Sequence, residues 1–376
     1  MRKSIRYWSD VPVLNIYYLL CYAWDRIGEG RTVDIESETF DGPVDLFAKV
    51  LNDGVSRIIS RGLDRDYLAV HEDIRGIKGK LDLATTLKRN LLLNGKAHCS
   101  FDEFSYDVPQ NQILKATLRS LTQVDSLNEK QKRRSERLYR KLGAISDVRL
   151  TAKMFHTVRI HRNNRFYRFL LHICHIIHEN LLINEAKGTV QFRDFREDAQ
   201  TMGTVFEQFV RNFCQRETSY RVRAPKINWF EAKGKDSALQ HLPQMQTDIV
   251  LWSPERTIIV DTKFYSTPLT TRYEVERMRS NNLYQIFTYL TNWSLANSSS
   301  DTALEGWLLY AAIDDVFDYR FEVGKQQIRV CSLDLSQEWK DIEEDLLVLV
   351  GEKNRNGSPR EIGVPLHSEM NILSEQ

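Results

Sequence analysis

The chain has 376 residues, 42% of them hydrophobic and 27% charged, with a formal net charge of +1. That length implies two domains with real cores, and the near-zero charge excludes a chain that holds nucleic acid by an overall basic field. Five scattered cysteines (Cys21, Cys99, Cys174, Cys214, Cys331) with no CxxC pair exclude a disulfide framework or zinc module and fit a reducing cytoplasm.

The N-terminal string "MRKSIRYWSDVPVLNIYYLLCYAW" sets basic residues before apolar ones. Asp10, Pro12 and Asn15 interrupt the run and no small-residue cleavage site follows, so it does not read as a signal peptide. No stretch approaches the ~18 uninterrupted apolar residues of a membrane span. Residues 13–26 predict a short amphipathic helix, and 43–61, opening on Pro43, a longer one. Residues 66–104, with Gly76, Gly79 and Gly95, predict a small β-rich section of short alternating pieces. Residues 109–142 return to helical spacing and end in the basic run "NEKQKRRSERLYRKL". A second domain is expected from about 160, with helices over 164–182 and 202–217. A two-strand element follows over 247–265, then a helix over 281–293 and a polar loop over 296–301. Strands over 307–313 and 326–335 and a helix over 337–350 come next, before a polar tail over 351–376. No internal repeat is visible.

The two-strand element, "TDIVLWSPERTIIVDTKFY", carries carboxylates where core residues belong. Alternation puts Asp261 and Lys263 on one face of their strand. A hairpin turn centred between Pro254 and Glu255 sets Asp248 directly opposite Asp261. Cross-strand neighbours lie roughly 4.5–5.5 Å apart at Cβ, where two like charges repel. A divalent cation between them would reverse that sign, and Mg²⁺ suits a site with few carboxylates. Lys263 would then stand beside a metal-bound water or a phosphate, which is equipment for phosphodiester hydrolysis. Glu207 on the preceding helix offers a third acid. Gln285 and Tyr289, four apart on the following helix, share a face and could steady a phosphate or the attacking water. Taken singly, each has a plain structural reading: a strand-end Asp with a nearby Lys, a solvated glutamate, a half-buried Gln–Tyr pair.

The order of these residues resembles the PD-(D/E)XK nucleases, the RecB-like branch in particular, with Thr247 where the name has proline. Beyond the site, "VPVLNIYYLLCYAW", "RGIKGKLDL", "FDEFSYDVPQNQILKATL", "LYRKL" and "NLYQIFTYL" resemble McrC, the nuclease subunit of the McrBC modified-cytosine restriction system, over roughly residues 11–345. The resemblance implies an α+β N-terminal domain (1–160) that docks on a McrB-like hexameric AAA+ GTPase and stimulates it. It implies an α/β restriction-endonuclease-like domain (161–350) with a central mixed sheet flanked by helices. The expected activity is Mg²⁺-dependent cleavage of double-stranded DNA carrying modified cytosine, with GTP used by the partner. The resemblance places metal on Asp248 and Asp261, with Glu207 joining them, and makes Lys263 and Gln285 catalytic. No GxxxxGK(S/T) phosphate loop occurs, in keeping with a GTPase on another chain. Two alternatives stand beside this: a non-cleaving subunit that only activates the motor, and a RecB-like nuclease that works alone.

Three further clusters carry less. The basic run 128–142 reads as a solvated helical face, with DNA or partner contact as the alternative. The aromatics of 161–169 are spaced to pack in a core. His172, Cys174, His175 and His178 lie on one helix, which rarely closes a tetrahedral zinc site alone.

Overall fold

The computed structural model describes residues 8–35, 40–158, 164–184, 189–265, 270–272, 275–298, 302–314 and 316–351. The expected polar tail, from 352 onward, lies outside the described residues, as does part of the 296–301 loop. The chain forms two compact units. One comprises residues 1–27 and 194–376, the other 28–193.

The unit over 28–193 is built on four helices, Pro43–Arg61, Pro109–Thr122, Glu129–Lys141 and Arg165–Asn180. Proline at the first helical position opens two of them, where its missing N–H leaves no bond unmade. The helical pattern over 109–142 is realised as two helices, the second capped by Asn128, whose side chain accepts from the backbone N–H of Lys130. The helices pack closely: a Cβ on Gly54 would sit 2.4 Å from Leu170. The basic helix Glu129–Lys141 buries Gln131, Ser135 and Leu138 and pairs several arginines with acids, Arg134 with Asp53, Arg133 with Glu129 and Arg140 with Glu136. Tyr167 and Phe169 are core residues, as their spacing predicts, while 161–163 are not described. The β-rich section is more regular than expected. Strands Asp66–Arg75 and Lys96–Ser105 pair along their whole ten-residue length, with Lys80–Leu81 as a third strand. Around the connection, Ile77, Leu83, Leu87, Leu92 and Leu93 are exposed, Leu93 by 85%.

The other unit is a six-stranded mixed sheet with helices on both faces. In chain order its elements are α1 (Val13–Ala23), α2 (Ala199–Glu217), β1 (Arg221–Arg223), β2 (Ile249–Trp252), β3 (Arg256–Phe264), α3 (Ser280–Ala296), β4 (Ala303–Ala312), β5 (Asp318–Val323), β6 (Gln326–Asp334) and α4 (Trp339–Leu349). Strand order is β5-β6-β4-β3-β2-β1. β3, β4 and β6 run parallel to one another, and the outer pairings are antiparallel. Such central parallel strands are apolar on both faces, which is why β3 and β4 read as near-continuous Ile, Val, Leu and Trp. Helix α3 covers one face, through Ile286, Tyr289 and Leu290 against Val250, Ile259, Leu308, Tyr310 and Val330. Helix α2 serves the other, with Phe206 beside Phe264. Phe206, Phe209 and Phe213 on α2 are each at most 1% exposed, and burial of each is worth roughly 1.5–3 kcal/mol.

Two boundaries differ from the expected division at 160. The N-terminal helix belongs with the C-terminal sheet, and the unit over 28–193 is an insertion within that fold. Polar fasteners explain the placement. Asn15 Nδ2 donates to the carbonyls of Leu335 and Gln337 (2.9 and 2.7 Å), and Arg196 Nη1 to those of Ser9 and Val11 (2.7 and 2.9 Å). Tyr18 stacks on Trp339 at 4.9 Å. An asparagine and a tyrosine on an amphipathic helix name no partner in advance. The helix Arg165–Asn180, expected to open the second domain, falls in the insertion.

Gly306 on β4 lets α3 approach the sheet: a Cβ there would lie 2.6 Å from Leu290 and 2.8 Å from Ile286. Gly306→Ala overpacks this contact and is expected to lower the unfolding free energy by about 1–3 kcal/mol in a denaturant titration; unchanged stability would mean that α3 can shift freely.

Candidate active site

The hairpin forms in the expected register. Thr257 pairs with Trp252 and Val260 with Ile249, so the next step would set Asp261 against Asp248. The ladder stops one residue short. Instead of a backbone carbonyl, the Asp248 carboxylate accepts from Thr262, whose N–H and hydroxyl both donate to Oδ2 at 2.8 and 2.9 Å. Asp248 is thereby held at the open end of the hairpin, oriented by the residue between Asp261 and Lys263. Nothing in a single sequence marks the Thr262 role, because a threonine in a strand is ordinary.

Asp261 is 1% exposed, deep in β3, and neither of its oxygens receives a well-directed hydrogen bond. The Lys263 ammonium lies against Oδ2 as an ion contact. Burial pushes the Asp261 carboxyl up to about 6, Lys263 pulling it down and Asp248 adding to the rise. Burial would lower Lys263, but Asp261 outweighs that and keeps the ammonium above its ordinary range. A simple ion pair would move the two groups in opposite directions. Here both go up, because Asp261 is buried more deeply than Lys263 and faces other acids.

Helix α3 completes the arrangement. Lys263 Nζ donates to Gln285 Oε1 at 3.2 Å, Gln285 Nε2 to the Tyr289 hydroxyl at 2.9 Å, and that hydroxyl to the Gln246 carbonyl at 3.0 Å. The chain of bonds runs from β3 back to the segment leading into Asp248. Gln285 and Tyr289 are therefore joined to the site as the spacing predicts. Glu207 comes from α2 and is half-buried. Arg211 donates to it at 3.1 Å, and burial, then the charge of Asp248, raises its carboxyl. Its charge reaches Asp248 and Asp261, yet among the described residues no three His, Cys, Asp or Glu groups stand close enough to enclose an ion. Sequence reading also misses Trp8, which stacks on Phe264 at 3.7 Å, one residue beyond Lys263.

The donor set suits a hard cation. Two carboxylates, one buried with no well-directed hydrogen bond to either oxygen, present only oxygen, and a carboxylate so placed is costly unless positive charge offsets its lost hydration. The helical His–Cys cluster does not compete. Cys174 is buried with its thiol pushed up to about 12, His175 contacts Glu179 at 3.2 Å, and burial lowers His178.

A family profile described as "McrBC 5-methylcytosine restriction system component" matches residues 18–311. The chain is 34% identical over 343 residues to the "Type IV methyl-directed restriction enzyme EcoKMcrBC" of Escherichia coli (strain K12), covering 91% of this chain and 98% of that protein. In fold it is similar to a solved half-complex from a tetradecameric assembly of Thermococcus gammatolerans McrB AAA+ hexamers with bound McrC. The TM-score is 0.55 at 16% identity, over 90% of this chain and 76% of the solved one. The fold and the paired aspartates thus sit in a mixed α/β restriction-system protein. The chain belongs to the family of McrBC 5-methylcytosine restriction system components.

The buried acid sets a pH signature. With a folded pKa of about 6 against an ordinary 3.8, the metal-free folded chain keeps a proton on Asp261 that the unfolded chain loses in that window. Asp261 therefore costs stability as pH rises from about 4 to about 6. Asp261→Asn cannot titrate. Unfolding followed in EDTA should show the stability difference moving toward the variant by up to about 3 kcal/mol across that window; a flat difference would mean that Asp261 is not the buried acid described.

Proposed function

We propose that the sheet unit is a PD-(D/E)XK-type endonuclease centre that hydrolyses phosphodiester bonds of double-stranded DNA with Mg²⁺. The observation that carries the reading is the deeply buried Asp261 carboxylate with no well-directed hydrogen bond, facing Asp248 across the hairpin and touching Lys263. Asp248 and Asp261 would hold the ion, with Glu207 close enough to add charge. A bound divalent ion supplies a Lewis acid at the phosphoryl oxygen and lowers the pKa of a coordinated water.

The chain's own residues do the rest. Lys263, whose ammonium lies against Asp261 and bonds Gln285, offers a positive charge for a phosphate. Gln285 accepts a hydrogen bond from Lys263 and so helps fix its ammonium, and Tyr289 holds Gln285 in turn. Thr262 fixes one oxygen of Asp248, setting which way that carboxylate can turn. Pairing Glu207 with Arg211 offsets part of the repulsion among three acids.

The relatives' names support the wider assignment. A methyl-directed restriction enzyme acts on modified DNA, and the structural neighbour is McrC bound to McrB AAA+ hexamers. We infer that this chain works in the cytoplasm as the cleaving subunit beside a McrB-like hexameric GTPase, stimulating GTP hydrolysis. The DNA carries modified cytosine, and GTP is bound by the partner. The unit over 28–193 is the docking part in this reading: its exposed Ile77, Leu83, Leu87, Leu92 and Leu93 form an apolar tip on a long antiparallel ribbon. Such patches mark surfaces that a partner covers. Among the described residues no helix is long and apolar enough to cross a membrane.

Cutting of methylated plasmid and GTP turnover, measured together in the reconstituted complex, separate the two roles. Asp261→Ala is expected to abolish cutting, by 10²-fold or more for loss of a metal ligand, on the order of or beyond the second-shell losses of 10–100-fold, while GTPase stimulation survives. Cutting at the wild-type rate would move the active site elsewhere and favour a purely regulatory subunit.

A further inference from the structure

We infer that the edge strand β1 and the residues just after it form the track that holds the DNA backbone beside the cut site, with Arg221, Arg223 and Lys226 binding phosphates. The inference rests on the DNA-cleaving reading above and names the surface that delivers the substrate to it.

The placement follows from register. Arg221 pairs with Trp252 and Arg223 with Val250, and Val250 pairs in turn with Ile259. Cross-strand partners share a face, and residues two apart along a strand share it too. Arg221, Arg223, Val250, Ile259, Asp261 and Lys263 therefore all belong to one face of the sheet. At about 4.8 Å between strands and 3.3 Å per residue, the Arg223 and Asp261 backbones lie about 12 Å apart. Long arginine side chains bring the guanidinium within the span of a few phosphates from the carboxylates. Lys226 follows three residues later, paired with Gln246, which lies two residues before Asp248.

Charge and exposure point the same way. All three cations are exposed. No ion pair ties any of them to a carboxylate among the described residues, whereas the nearby Arg216 and Arg256 are paired with Glu217 and Glu305. From 221 to 236 the sequence holds five cations, Lys233 and Lys235 being the other two, against Glu231 and Asp236. In a chain of net charge +1 this is a local excess. It lies next to three acids that would otherwise repel a polyanion. Unpaired cations on an edge strand also discourage edge-to-edge sheet pairing, but that task does not call for them on the face that carries the active site.

The test measures KM for methylated plasmid over a KCl series, using the full chain with its GTPase partner and following GTP turnover in parallel. Wild type is compared with Arg221→Ala/Arg223→Ala and with Arg221→Lys/Arg223→Lys. The double alanine variant is expected to keep GTPase stimulation and raise KM. It should also lower the slope of log KM against log salt by about 1.8, at about 0.9 for each phosphate that the variant no longer neutralises. The lysine pair should restore most of both. Wild-type salt dependence in the alanine variant would overturn the inference. So would a failure to stimulate the GTPase, which would make β1 a partner-docking edge, or a loss of cutting that lysines do not restore, which would make the arginines structural. Asp261→Ala in the same series keeps the two readings apart. If it cuts, the active-site assignment fails; if it does not and the alanine pair behaves as wild type, only the DNA track fails.

Discussion

The structure turns on one buried carboxylate. Asp261 sits in a central strand of a sheet, beside the buried Ile258, Ile259 and Val260, and it receives no well-directed hydrogen bond. A group of this kind is tolerated only when a positive charge offsets its lost hydration. Lys263 supplies part of that charge. Asp248, one step past the end of the hairpin ladder, works against it. The arrangement is therefore strained electrostatically in the absence of a cation, and the proposed ion relieves the strain. Perturbed carboxyls grouped in this way are a familiar mark of function.

Much of the surrounding fold exists to hold that carboxylate still. β3 is paired with β4 through Asp261, which lies opposite Leu308, and with β2 as far as Val260, the residue before it, so Asp261 cannot move without disturbing the ladder to β4. Helix α3 lies close over the strand because Gly306 leaves room, and from it Gln285 and Tyr289 reach Lys263 and the approach to Asp248. On the opposite face Phe206 and Trp8 pack on Phe264, the residue after Lys263. The N-terminal segment is thus part of the same unit as the site, fastened by Arg196, Asn15 and Asn212, and the unit over 28–193 is inserted after it. A truncation designed on a simple N-terminal/C-terminal division would remove α1, and Tyr22 with it, and uncover the aromatic cluster of Phe209, Phe213 and Trp339.

How much of this can be read from the sequence varies with the physical range of each interaction. The hairpin register is readable because a tight turn at Pro254 and Glu255 fixes both strands at once, and the Asp261–Lys263 face follows from the two-residue period. Helices with strong signals, such as Pro43–Arg61, have the boundaries their Pro and apolar spacing indicate. Long-range partners are not readable. The strand Asp318–Val323, mostly exposed with polar residues between its aromatics, has no buried stripe to announce it. Thr262 reaching Asp248, Trp8 stacking on Phe264, and α1 joining the far end of the chain all depend on tertiary contacts that leave no local pattern. The resemblance in the N-terminal strings points to the family but says nothing of that placement.

The proposed centre requires Asp248 and Asp261 together to hold a divalent ion. The most direct measurement is an anomalous difference map from crystals of the full chain grown with Mn²⁺, a stand-in for Mg²⁺ with the same taste for oxygen ligands. A single strong peak is expected within coordination distance of both carboxylates, absent in Asp261→Asn. A peak elsewhere, or none at the hairpin at saturating Mn²⁺, would contradict it.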